Sequence, residues 1–102
     1  MLFLQISKHA PESCPMHNEK VKKVTADLMA KMDQLTKKYG IKTVGGWNSM
    51  SDHSVVVVYD VPNFEALMKF SMEPEVTAWT GYNDIETKPV VTLEESMKLL
   101  MK

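Results

Sequence analysis

The stretch HSVVVVYDV, residues 53–61, decides the fold. Four successive valines leave a strand with no polar side to turn toward water, so it reads as a strand buried on both faces. Such a strand belongs inside a sheet, not at its edge. The polar SMSD before it, residues 49–52, supplies a hairpin turn, and IKTVGGWN, residues 41–48, reads as the strand that pairs with it. Gly45-Gly46 inside that strand marks a bulge or a close approach by another group.

Working outward, residues 2–9, LFLQISKH, alternate as a strand. Leu2, Leu4 and Ile6 share one face, expected to lie under helices; Phe3, Gln5, Ser7 and His9 share the other, expected to face a cavity. Residues 10–18 form a loop punctuated by Pro11 and Pro15. From about Glu19 to Tyr39, Val21, Val24, Leu28, Met32, Leu35 and Tyr39 recur at spacings of 3, 4, 4, 3 and 4, the stripe of an amphipathic helix. Asn18 is its expected N-cap and Gly40 its stop.

Beyond the valine strand, Pro62-Asn63 starts a second helix, with Phe64, Leu67, Met68 and Ser71 expected to face inward. EPEVTAW is a turn or short helix, and DIETKPVV, residues 84–91, reads as a fourth strand. Pro89, lacking an N–H, suits an edge position there. Thr92-Leu93-Glu94-Glu95 has the capping-box pattern of a final helix ending in KLLMK.

The order β-α-β-β-α-β with a terminal helix is an α+β, ferredoxin-like sandwich, one domain over residues 1–102. Right-handed crossovers put both helices on one side of a sheet in the order 4-1-3-2. The uncovered side, carrying the valines and Phe3, needs a cover, and a second copy of the chain is the simplest one. A homodimer is expected.

The bulk properties narrow the function. Twelve basic and thirteen acidic residues give a net charge of −1, which argues against a nucleic-acid or anionic-membrane partner. No apolar run approaches the roughly 20 residues of a membrane span, and the start lacks a basic signal-peptide region, so a cytoplasmic setting is expected. The single cysteine excludes an internal disulfide. The nine methionines read as flexible core filling.

His9, Pro11-Glu12, Cys14-Pro15, Lys88-Pro89-Val90 and Thr92-Leu93-Glu94-Glu95 form a pattern. With it, the chain resembles the dimeric α+β barrel superfamily. More narrowly, it is similar to a group of small archaeal and bacterial proteins with an H-x-P-E-x-C-P loop. The resemblance spans nearly the whole chain and implies fold and dimerisation, but no activity. The wider superfamily includes cofactor-independent antibiotic-type monooxygenases, muconolactone-isomerase-like enzymes and haem-handling members, so the fold is a poor guide to function. The segment WTGYND before the fourth strand is longer than the resemblance leads one to expect.

In this topology the end of strand 1, the strand 2–3 hairpin and the approach to strand 4 share one end of the sheet. His9 closes strand 1, His53 opens strand 3, and Cys14 and His17 lie on the loop leaving that end. Imidazoles with a thiolate suit a transition ion, Zn, Cu or Fe, better than Mg or Ca. The expected ligands are His9, Cys14 and His53, with His17 completing a C-x-x-H pair. The plainer alternative is a polar loop with His17 and His53 on the surface, Cys14 packed beneath it and His9 hydrogen-bonded at the strand end.

Glu12 reads as a solvated loop charge, Met16 as an ordinary methionine and Asp52 as a turn residue. Trp47 and Trp79 are expected to line the cavity or the dimer interface. Three functions remain open. The first is a metal-binding protein whose ion is a Lewis acid or redox centre if one position stays open, and structural if it does not. The second is a metal-free enzyme or carrier of the monooxygenase or isomerase type, acting on a small molecule in the cavity with His9 as general base. The third is a redox switch at Cys14.

Overall fold

Strands β1 (Leu2–Lys8), β2 (Lys42–Ser49), β3 (Ser54–Asp60) and β4 (Asp84–Val90) pair antiparallel in the order β2-β3-β1-β4 in a computed structural model that describes residues 1–101. The valine strand, β3, lies inside the sheet, and β4 forms an edge on which Pro89, opposite Phe3, withholds no ladder donor. Register places Lys8 opposite both Ser54 and Asp84, so the end of β1, the β2–β3 hairpin and the start of β4 share one end. The pairing of β2 with β3 slips between Thr43 and Gly45, the bulge that the Gly-Gly pair foretells.

Helix α1 (Glu19–Lys38) connects β1 to β2, α2 (Phe64–Ser71) and α3 (Pro74–Thr80) lie between β3 and β4, and α4 (Leu93–Leu100) follows β4. The Asn18 side chain accepts from the backbone N–H groups of Lys20 and Val21, capping α1. Gly40, at φ +67°, ends it in the left-handed conformation that glycine adopts without strain. Leu28 and Leu35 of α1, Leu67 and Phe70 of α2 and Val76 of α3 pack with Phe3, Ile41, Tyr59 and Val61 into one core. Phe70 meets Tyr59 edge to face at 5.8 Å. Ion pairs Lys31–Glu75 (3.0 Å) and Lys38–Glu73 (2.8 Å) join α1 to the start of α3.

The faces of β1 are the reverse of the expectation. Phe3 and Ser7 are buried, and their register partners Tyr59 and Val55 share their face. That face lies under the helices, while Leu2, Leu4 and Ile6, with Val56 and Val58 of β3, form the open face and are only half-buried. Alternation fixes which residues go together, but both sets contain large apolar groups. The bulky Phe3 ring reaches into the helix layer, contacting Phe64 at 5.7 Å. Phe3 therefore does not contribute to the uncovered patch. In α2, Leu67 and Phe70 point inward, whereas Phe64 and Met68 are about half exposed, because two turns of helix bury a narrower stripe than the sequence pattern allows.

Candidate metal centre

His9 follows β1 with the parity of Ser7, so it lies on the helix side of the sheet and not toward the open face. Its backbone N–H donates to the His53 carbonyl at 3.2 Å, extending the β1–β3 ladder by one bond. The following loop then folds on itself. Pro11–Ser13 make a single 3₁₀ turn, and Cys14 donates back to the Pro11 carbonyl. The Cys14 carbonyl accepts from the N–H groups of both His17 and Asn18 at 2.9 Å. Asn18 also donates its side-chain amide to the Glu12 carbonyl at 3.1 Å, so the cap of α1 pins the loop as well. These bonds hold Cys14 at 6% exposure beneath the loop.

His53 arrives from the hairpin in the left-handed region, φ +56°, the one non-glycine residue with positive φ among the described residues. For a residue with a Cβ this conformation is strained, and it turns the imidazole back over the sheet end. There the His9 and His53 rings meet edge to face, with centroids 5.1 Å apart and planes at 72°. One ligand atom each from His9, Cys14 and His53 lies within 4.8 Å of the other two. In a filled tetrahedral site such atoms stand about 3.5 Å apart, so a loop adjustment of roughly an ångström closes the set.

Two further observations suit a ligand role. His9 Nε2 is buried without a hydrogen-bond partner, an exceptional state for a ring nitrogen. Burial, and secondly the neighbouring His53, lowers the His9 pKa below its ordinary value, which keeps its ring neutral and its lone pair free. Two nitrogens and one sulfur are the donor chemistry of Zn, Cu or Fe.

His17 is not drawn into this group. Its backbone joins the turn, but its ring is exposed, so the C-x-x-H spacing produces a turn rather than a ligand pair. Glu12 and Met16 are also exposed. Asp52 accepts from Ser54 Oγ at 2.7 Å, and Ser54 followed by Ser49 lowers its pKa, consistent with a turn residue. Trp79 packs on the core from the helix side. Trp47 lies on the open face, folded over Gly45 so closely that a Cβ there would come within 2.7 Å of its ring. A polar cleft of about 260 Å³, lined by Lys8, Ala10, Ser13, Tyr82, Asn83 and Asp84 with Gly81, adjoins the same loop. The left-handed backbone of His53 had no signal in the sequence beyond the lack of glycine in a tight hairpin.

A family model described as "Domain of unknown function (DUF3303)" matches residues 1–102. No curated protein matches the chain. Among solved structures, an antibiotic biosynthesis monooxygenase is similar at TM-score 0.58 and 14% identity, covering 90% of this chain and 100% of that one. A candidate antibiotic biosynthesis monooxygenase from Caulobacter crescentus CB15 is similar at TM-score 0.56 and 17% identity, covering 89% and 90%. An uncharacterized NIPSNAP domain protein from Burkholderia xenovorans is similar at TM-score 0.51 and 13% identity, covering 91% and 97%. At these identities the likeness establishes the ferredoxin-like α+β fold. No described helix is long and apolar enough to cross a membrane.

Proposed function

Because this chain belongs to the DUF3303 family along its whole length, a family whose description names no activity, we propose a function from the site itself: a homodimeric protein that binds a transition ion, Zn, Cu or Fe, through His9, Cys14 and His53. The observation that carries this reading is the convergence of one donor atom from each of the three residues within 4.8 Å, and the His9 ring among them carries a buried Nε2 with no hydrogen-bond partner. Three protein ligands leave a fourth position for water or substrate, which is the arrangement of a Lewis-acid or redox centre rather than a closed structural site. The adjoining polar cleft offers space for a small molecule beside it. A reducing cytoplasm, in which a lone thiol stays available, is the proposed setting.

The decisive experiment is metal analysis of untagged protein purified without chelator. A stoichiometric ion that is lost in Cys14→Ala supports the reading. No bound ion under metal-replete conditions removes it.

A second reading draws on the open face, where Trp47, opposite Val56 and folded over Gly45, shares a side of the sheet with Leu4, Ile6 and Val58. Two of the similar structures are described as monooxygenases or candidates for that role, and metal-free chemistry on a flat organic molecule would use this surface. Binding of such a molecule by Cys14→Ala protein as tightly as by the native chain would favour it.

A further inference from the structure

We infer that the polar cleft beside the Cys14 loop is a binding site for a small amino acid, whose carboxylate meets Lys8 and whose ammonium meets Asp84 and Asn83. Binding rests on the cleft's own side chains; that the bound molecule lies beside a metal centre rests on the reading above.

The cleft forms where three segments meet. Lys8 ends β1, Ala10 and Ser13 belong to the loop, and Tyr82, Asn83 and Asp84 lead from α3 into β4. Its volume is about 260 Å³, below the roughly 300–1,000 Å³ of sites for drug-sized ligands. Apart from the Ala10 methyl and the Tyr82 ring, those side chains are polar. Such a space admits a small molecule without a large apolar part.

The charges set two poles. Lys8 and Asp84 are register partners across the β1–β4 ladder. Opposite charges placed directly across a ladder favour each other, yet among the described residues no ion pair engages either one. The Lys8 charge also bears on Asp52, but that carboxylate accepts from the Ser54 hydroxyl at 2.7 Å. A cation and an anion side by side, neither engaged in an ion pair, suit a ligand that carries both signs.

Asn83 strengthens the acceptor pole. Its side-chain amide donates to the Trp79 carbonyl at 2.8 Å, so Oδ1 is the acceptor that it offers. Next to it in the chain stands the Asp84 carboxylate. An ammonium has donors and no acceptor, which matches this pair. At the other pole the Lys8 ammonium and the Ser13 hydroxyl donate to a carboxylate. A simple anion would also meet Asp84, and a simple amine would also meet Lys8. One-charge molecules are therefore disfavoured.

Position ties the cleft to the three-donor set. Lys8 and Ala10 flank His9 in the chain, and Ser13 precedes Cys14. An occupant lies against the loop that carries the thiol.

The test titrates the full ¹⁵N-labelled chain in EDTA with L-serine, glycine, acetate and ethylamine, following backbone amide shifts. Lys8 and Asp84 are exposed and screened, so a Kd of about 1–10 mM is expected for both amino acids. The largest shifts are expected at Lys8, Ser13, Tyr82, Asn83 and Asp84. Acetate and ethylamine are expected to bind at least about fivefold more weakly. Lys8→Gln and Asp84→Asn are each expected to weaken L-serine by about fivefold with an unchanged circular dichroism spectrum. No saturating shift by about 100 mM, well above the millimolar range, overturns the assignment. So do shifts centred elsewhere, one-charge molecules binding as tightly as serine, or undiminished binding in both variants. If a variant loses its fold, the wild-type ligand series and shift map decide alone. A separate Zn(II) titration keeps the two readings apart. Protein that takes serine but no Zn(II) keeps the cleft and removes the metal centre; protein that takes Zn(II) but no serine does the reverse.

Discussion

His9 and His53 are joined twice: by a backbone hydrogen bond of 3.2 Å from the His9 N–H to the His53 carbonyl, and by rings meeting edge to face at 5.1 Å. The ladder bond fixes the two α-carbons, and the left-handed turn at His53 brings its ring to the same side as His9. Cys14 then needs only the short loop to reach them.

The first prediction concerns that trio. His9→Ala, His53→Ala and Cys14→Ser are each expected to weaken Zn(II) binding more than about 100-fold, beyond the usual loss of an outer partner. His17→Ala is expected to leave binding within about threefold. Competition against a chromophoric chelator measures all four, and a loss in His17→Ala equal to the others would refute the three-ligand set. Because a ligating imidazole must be neutral and burial, followed by His53, holds the His9 pKa below its ordinary value, His9 is expected to lose its ligand role only as the pH falls below the ordinary imidazole range.

His53→Gly separates strain from ligation. Glycine accepts φ +56° freely, which offsets its greater freedom in the unfolded chain. Metal-free protein is expected to be as stable as the native chain, or up to about 1 kcal/mol more so. The extra stability that the native chain gains on adding Zn(II) is expected to disappear. Thermal melts with EDTA and with Zn(II) check both; a clear loss of stability in EDTA would show that the His53 ring holds the hairpin itself.

Gly40→Ala tests the end of α1. The added Cβ would sit 3.7 Å from Pro62 Cγ, an ordinary contact, so the penalty is that of the backbone at φ +67°. A loss of about 1–2 kcal/mol is expected in urea unfolding with an unchanged m-value. A loss well beyond that would point to packing rather than to the backbone.

Glu73 links stability to acid. The Lys38 ammonium, followed by the Tyr39 hydroxyl, holds its carboxyl below the ordinary value. A lowered folded-state pKa means that the unfolded chain binds the proton first. The stabilisation is therefore present above about pH 4.3 and is lost as pH falls through the folded-state pKa. Tyr39→Phe is expected to reduce the steepness of acid unfolding while leaving the slope above pH 6 unchanged. Equal acid profiles for the two proteins would exclude this contribution.

The valine run, the Gly-Gly bulge, Pro89 and the Asn18 cap were each legible because they act through neighbours in the chain. Local sterics and backbone hydrogen bonding read the same in any context. The convergence of His9 with His53 was legible one step further on, since strand order and antiparallel pairing bring both to one end of the sheet. His17 shows the limit of that reasoning. Its spacing from Cys14 fits a shared ion as well as it fits a turn, and only the tertiary structure, which leaves His17 exposed and outside the convergent group, separates the two.

From sequence alone came the element order, the antiparallel sheet with β3 inside it, and the set of residues sharing each face of β1. Tertiary structure decided which face of β1 meets the helices, and with it that His9 lies beneath the Cys14 loop and not toward the open face. The physical reason is that a strand's period of two sorts side chains into two groups without ranking them. When both groups are apolar, the choice falls to packing volume, and here the Phe3 ring filled the space beneath the helices.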